Sequence, residues 1–139
     1  MEITKLKLFS PLCYIPVAEC DPFAYTDSAG VERLCCFDLD EEQYLSFEPD
    51  KEKILGRLVF GSYANEPGRA GENGKVELPG GNYLFVQKEG ILGREDIIAL
   101  AVEIQSEGLW QRLKPGKRLY LRHLFEDGRW VTQLFRPYS

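Results

Sequence analysis

The dipeptide Asp127-Gly128 limits the fold of this chain more than any other feature. A two-residue type I′ turn needs positive φ at both central positions, and Asp-Gly is among the few pairs that accept it. Arg118 to Phe125, RLYLRHLF, precedes the turn, and Arg129 to Arg136, RWVTQLFR, follows it. Both runs are rich in aromatic and branched residues, as strands are. With the turn in place the register is set: Glu126 faces Arg129, Phe125 faces Trp130, His123 faces Thr132, Arg122 faces Gln133, Leu121 faces Leu134 and Tyr120 faces Phe135. Alternation then divides the hairpin into two faces. Leu119, Leu121, His123, Phe125, Trp130, Thr132 and Leu134 share one, which is expected to pack on a helix. Tyr120, Arg122, Leu124, Val131, Gln133 and Phe135 share the other, which mixes aromatic and hydrogen-bonding groups as a ligand surface does.

The helix is expected just upstream. In the run from Arg94 to Leu113, Ile98, Val102, Leu109 and Leu113 fall near one stripe, with Ile97, Ala101 and Ile104 beside it. Glu95 and Asp96 occupy the first turn, where the helix dipole favours acids. Gly108 marks a bend or an early end, and Pro115-Gly116 stops the helix. Before it, Val76 to Leu78, a Pro-Gly-Gly turn and Asn82 to Lys88 read as strands, and Glu89 to Gly93 as a loop. The first half is less regular. Leu12 to Val17 reads as an edge strand because of Pro16. Asp21 to Gly30 reads as turns, and Arg33 to Leu39, Tyr44 to Phe47 and Leu55 to Phe60 as strands. Residues 64–76, ANEPGRAGENGKV, form a glycine-rich loop between an N-terminal half, 1–63, and a C-terminal half, 77–139, of a single domain.

Charge and cysteine usage exclude several function classes. The 139 residues carry a net charge of −5, which argues against a nucleic-acid surface. No apolar run is long enough to span a membrane, and Pro11 and Pro16 interrupt the start of the chain, so no signal peptide is expected. A cytoplasmic location follows as an expectation. Four cysteines, Cys13, Cys20, Cys35 and Cys36, lie in the first part of the chain without C-x-x-C spacing, and are expected to be reduced and structural. Cys35 and Cys36 should point to opposite faces of a strand.

No catalytic pattern emerges. His123 is the only histidine, and its place among Leu121 and Phe125 suits a core residue better than a base. Asp38, Asp40, Glu41 and Glu42 form an acidic run that reads as a solvated turn and lacks the calcium-loop spacing. The 13 glycines form neither a dinucleotide fingerprint nor a phosphate loop. No metal and no cofactor is implied. Aromatic residues crowd the second half, and such residues with a flanking acid suit flat or cationic organic molecules. The candidate ligand residues are Tyr83, Phe85, Trp110, Tyr120, Arg122, Glu126, Gln133 and Phe135.

The segment VELPGGNYLFVQKEG, followed by a helix and two strands, resembles the GyrI-like small-molecule-binding domains, which also serve as effector-binding domains of MerR- and AraC-type multidrug-sensing transcription regulators. The segment GLWQRLKPGKRLYLRHLFEDGRWVTQLFRPYS is similar to the end of such domains, so the resemblance covers roughly residues 75–139. It implies an α+β fold: an antiparallel sheet with helices packed on one face, in two β-α-β-β-like halves, here with a degenerate first half. It also implies a central cleft for a small organic ligand, in a stand-alone form without a DNA-binding helix-turn-helix. Glu126 is the acid nearest the position where the family often places a pocket glutamate. The expected function is binding of a small apolar or aromatic molecule, as a sensor or sequestering module connected to transcription regulation, without catalysis. Hydrolysis of a bound ligand stays open, as does the alternative of a protein-protein interaction module that uses the acidic run on a basic partner.

Overall fold

The computed structural model describes residues 3–16, 32–39, 57–58, 63–64 and 76–139. The expected turns at 21–30, the strand at 44–47, most of the strand at 55–60, the interior of the 64–76 loop, Cys20 and the carboxylates of Asp38, Asp40, Glu41 and Glu42 lie outside the described residues.

Nine strands and one helix are present among them. The strands are β1 (Thr4–Leu8), β2 (Leu12–Pro16), β3 (Arg33–Asp38), β4 (Arg57–Leu58), β5 (Tyr63–Ala64), β6 (Val76–Leu78), β7 (Gly81–Glu89), β8 (Arg118–Glu126) and β9 (Arg129–Pro137), and the helix is α1 (Arg94–Trp110). All pairings are antiparallel, in the order β1-β7-β9-β8-β3-β5-β2-β6, with β4 on β3. This is an α+β fold with a helix on an antiparallel sheet.

The hairpin register is the one the turn demands, from Glu126↔Arg129 to Tyr120↔Phe135. Asp127 and Gly128 have φ of 53° and 79°, the left-handed pair of a type I′ turn.

β1 and β2 form one bent strand that pairs with β7 and β6. Leu8 faces Gly81, but Leu12 faces Leu78, so three residues, Phe9 to Pro11, oppose two, Pro79 and Gly80, across the bend. Such a bulge sharpens local curvature. β2 also pairs with β5, which pairs with β3, so β2 is not an edge strand. Pro16 is accommodated at its end, opposite Tyr63. The pairings therefore run from β7 through β9, β8, β3, β5 and β2 to β6, and β6 leads back into β7. The sheet curls into a ring.

That ring has two cores. Inside lie Tyr14, Leu34, Cys36, Leu78, Tyr83, Tyr120 and Phe135, from six different strands. Outside, Cys35, Phe37, Leu84, Val86, Leu119, Leu121 and Leu134 meet Ile97, Leu100, Ala101 and Ile104 of α1. Cys35 and Cys36 form no disulfide and are buried on opposite faces.

The buried stripe of α1 runs through Ile97, Ala101, Ile104 and Gly108, while Ile98, Val102 and Leu113 only flank the core. The expected stripe is thus displaced by about one residue. Gly108 explains the displacement. A Cβ there would stand 2.9 Å from Leu84 Cδ1 and 3.0 Å from Pro115 Cγ, so the helix touches the sheet through this residue. The helix ends at Trp110, short of the expected Leu113. Leu113 N donates to Gly108 O at 2.9 Å and Arg112 N to Leu109 O at 3.0 Å, with Arg112 at φ 60°. These two bonds are a Schellman closure, built on arginine where glycine is usual.

Candidate functional site

Seven of the residues expected to bind ligand share the inner face. Tyr83, Phe85, Tyr120, Arg122, Gln133 and Phe135 alternate inward on β7, β8 and β9, and Glu126 ends the same row. Trp110 does not belong with them. It is 80% exposed at the end of α1, on the opposite side of the sheet. The aromatic stripe that the other residues suggested does not extend to it.

The expectation that Tyr120 and Phe135 form an accessible surface is corrected by their burial. They are 4% and 2% exposed. Tyr83 stands edge-on to both, with ring centroids 6.2 Å and 5.8 Å apart, and its hydroxyl donates to Pro79 O. Phe85 lies 5.0 Å from Phe135. β2, β3 and β6 close over these rings with Tyr14, Leu34, Cys36 and Leu78. Aromatic parity marked the correct face, but the ring of strands filled it.

Above the aromatic floor runs a chain of polar side chains. Tyr14 Oη donates to Glu32 Oε2 at 3.0 Å. Arg122 Nη2 donates to Glu32 Oε1 at 3.2 Å, and Nη1 to Gln133 Oε1 at 3.3 Å. Gln133 Nε2 donates to Gln87 Oε1 at 2.6 Å. Arg122 Nε is buried without a partner among the described residues. Burial raises the Tyr14 pKa, an effect that Arg122 opposes, so the phenol stays neutral and donates. Glu32, Tyr14 and Gln87 were not foreseen. Gln87 was within reach, because it follows Tyr83 and Phe85 at strand alternation.

Beyond Gln87 the inner face opens at the hairpin end. Gln87, Glu89, Glu126, Asp127, Arg129 and Val131 line a cavity of about 280 Å³ there. Arg129 Nη1 meets Glu89 Oε2 at 3.2 Å, an exposed rim pair that contributes little to stability.

The outer face holds His123. It is buried there, and burial, with Arg33 nearby, lowers its pKa to about 4. The only histidine in the chain is thus neutral and faces away from the inner surface. Thr132, its cross-strand partner, donates to Gly90 O at 2.8 Å and accepts from Leu92 N at 3.2 Å, which anchors the loop leading into α1.

No three His, Cys, Asp or Glu side chains among the described residues cluster as metal ligands, and no helix among them is long and apolar enough to cross a membrane. In comparisons with known proteins, no family model and no curated protein matches this chain.

Proposed function

We propose that the protein binds a small organic molecule at the inner face of the curled sheet, as a sensing or sequestering module. The observation that supports this reading is the side-chain chain Tyr14–Glu32–Arg122–Gln133–Gln87, which ends at the open mouth. An apolar filling of the same space would serve the fold as well or better, since desolvating an ion pair offsets much of its attraction. Such polar groups above an apolar floor suit recognition, where a few placed donors and acceptors fix a ligand's orientation. Gln87 and Arg129, which line the mouth, would read a hydrogen-bonding head, held in place by Gln133 and Arg122 behind them, and Val131 would meet the apolar part of the ligand. The resemblance to GyrI-like domains, including their two-half layout and their connection to transcription regulation, is part of this proposal. Binding is favoured over catalysis because the sole imidazole is on the opposite face.

The test is an NMR titration of the ¹⁵N-labelled protein with small aromatic carboxylates and amides. Shift changes are expected to cluster at Gln87, Arg122, Arg129 and Gln133, and to vanish in Gln133→Leu. Perturbations that map elsewhere, or none from any compound, would defeat the proposal.

A further inference from the structure

Three large apolar side chains among the described residues stand in solvent, Phe9, Trp110 and Phe125, and the first two border β1, Phe9 just past its end and Trp110 beside Ile3. Phe9, just past β1, is 89% exposed, and Trp110 is 80% exposed. Trp110 borders a groove of about 570 Å³ with Ile3, Val102, Glu103, Ser106 and Glu107. β1 lies at this edge, and among the described residues its only strand partner is β7.

We propose that two copies of this chain pair along β1, antiparallel and centred on Leu6, so that Phe9 of each copy enters the Ile3–Val102–Trp110 groove of the other. The register makes the match. A two-fold axis at Leu6 places Phe9 opposite Ile3 of the second copy, and Ile3 is a wall of the groove. Ile3 packs with the outer core, and Lys5 pairs with Leu84 of that core, so odd-numbered residues of β1 face the helix side where the groove lies.

Charge favours a second copy over an unrelated partner. Lys5 and Lys7 are exposed on the groove side, about 7 Å apart along β1, and the two-fold sets Lys5 of each copy opposite Lys7 of the other, a like-charge row that pairing must neutralise. Glu103 and Glu107 line the groove about 6 Å apart along the helix axis. Lysines on an edge strand ordinarily oppose strand pairing. Here the second copy's carboxylates can receive them, while Trp110 covers Phe9. On the reverse side Leu6 and Leu8, half-buried against the inner core, meet Leu6 and Thr4 of the second copy. This inference stands apart from the ligand site, which lies on the other face.

Sedimentation velocity at about 100 µM tests it, since a micromolar Kd leaves most chains paired at that concentration. The wild-type chain should sediment as a dimer, more weakly in 1 M salt because the lysine–glutamate contacts are screened. Phe9→Ser, Trp110→Ala, the pair Lys5→Glu with Lys7→Glu, and the pair Glu103→Lys with Glu107→Lys should each weaken dimerisation by roughly tenfold or more. Mixing the two charge-reversed variants should restore a dimer of one of each. Phe9 and Trp110 are exposed in the single chain, so their variants keep its fold, which circular dichroism checks. A wild-type monomer overturns the proposal, and so does a dimer that all four variants retain.

Discussion

Arg122 Nη2 lies 3.2 Å from Glu32 Oε1, joining the middle of β8 to the residue that leads into β3. Both side chains are about one-fifth exposed or less, at 17% and 20%. Removing one partner strands the other. Glu32→Leu alone should destabilise the protein by about 2 kcal/mol, a buried-pair loss discounted for partial solvation. Arg122→Met combined with Glu32→Leu should cost less than the sum of the single changes. Urea denaturation of the four proteins checks this, and strict additivity would show the pair to be energetically uncoupled.

Gly108 brings α1 against Leu84 and Pro115 at distances a Cβ cannot share. Alanine improves helix propensity by about 1 kcal/mol in an exposed helix. Here the overlap should outweigh it, and Gly108→Ala should lower stability by about 1 kcal/mol net. Leu84→Val removes the Cδ1 that stands 2.9 Å away. In that background Gly108→Ala should cost less, and thermal unfolding of the double variant measures the relief.

How much of this was legible in the sequence depends on the range over which each residue acts. Asp127-Gly128 dictates its own backbone, so the register followed for seven residue pairs, Glu126↔Arg129 through Tyr120↔Phe135. Arg122 and Gln133 were placed together for the same reason, and they bond at 3.3 Å. Parity assigned Tyr120 and Phe135 to the inner face, but it could not say that β2, β3 and β6 cover them. That closure rests on contacts such as Leu12↔Leu78, far apart in sequence and marked by no turn signal. Glu32 was missed because it precedes its strand and gains its partners only when β3 docks on β8. Composition alone groups Trp110 with the other aromatics. The stripe Ile97, Ala101, Ile104 and Gly108 would have turned it outward.

Arg136 is fully buried, and its Nη1 and Nη2 have no partner among the described residues. Only Nε is satisfied, by Gly116 O. Burial lowers its pKa to about 9, the mark of a desolvated charge. Replacing such a group with an apolar side chain of similar length removes that penalty. Arg136→Met should therefore raise stability by about 1 kcal/mol, net of the lost bond to Gly116. A loss of stability in urea titrations would reveal that a buried water or anion satisfies the guanidinium.

His123 makes stability depend on pH in a defined direction. Its folded pKa of about 4 lies below the ordinary 6.5, chiefly through burial and secondarily through Arg33. The folded state therefore holds the neutral ring, while the unfolded chain takes up a proton first as pH falls. The unfolded state binds more protons between pH 6.5 and 4, so stability rises with pH across that window. The contribution is complete above about pH 6.5 and is lost as pH falls through the folded value, amounting to about 3 kcal/mol. Asp and Glu side chains also begin to titrate near pH 4, so the informative quantity is a difference. Urea midpoints of the wild type and His123→Gln, taken at pH 7, 5.5 and 4.5, should converge as pH falls, because glutamine carries no proton to gain. Parallel curves would mean that the imidazole charges in place, with the fold opening around it.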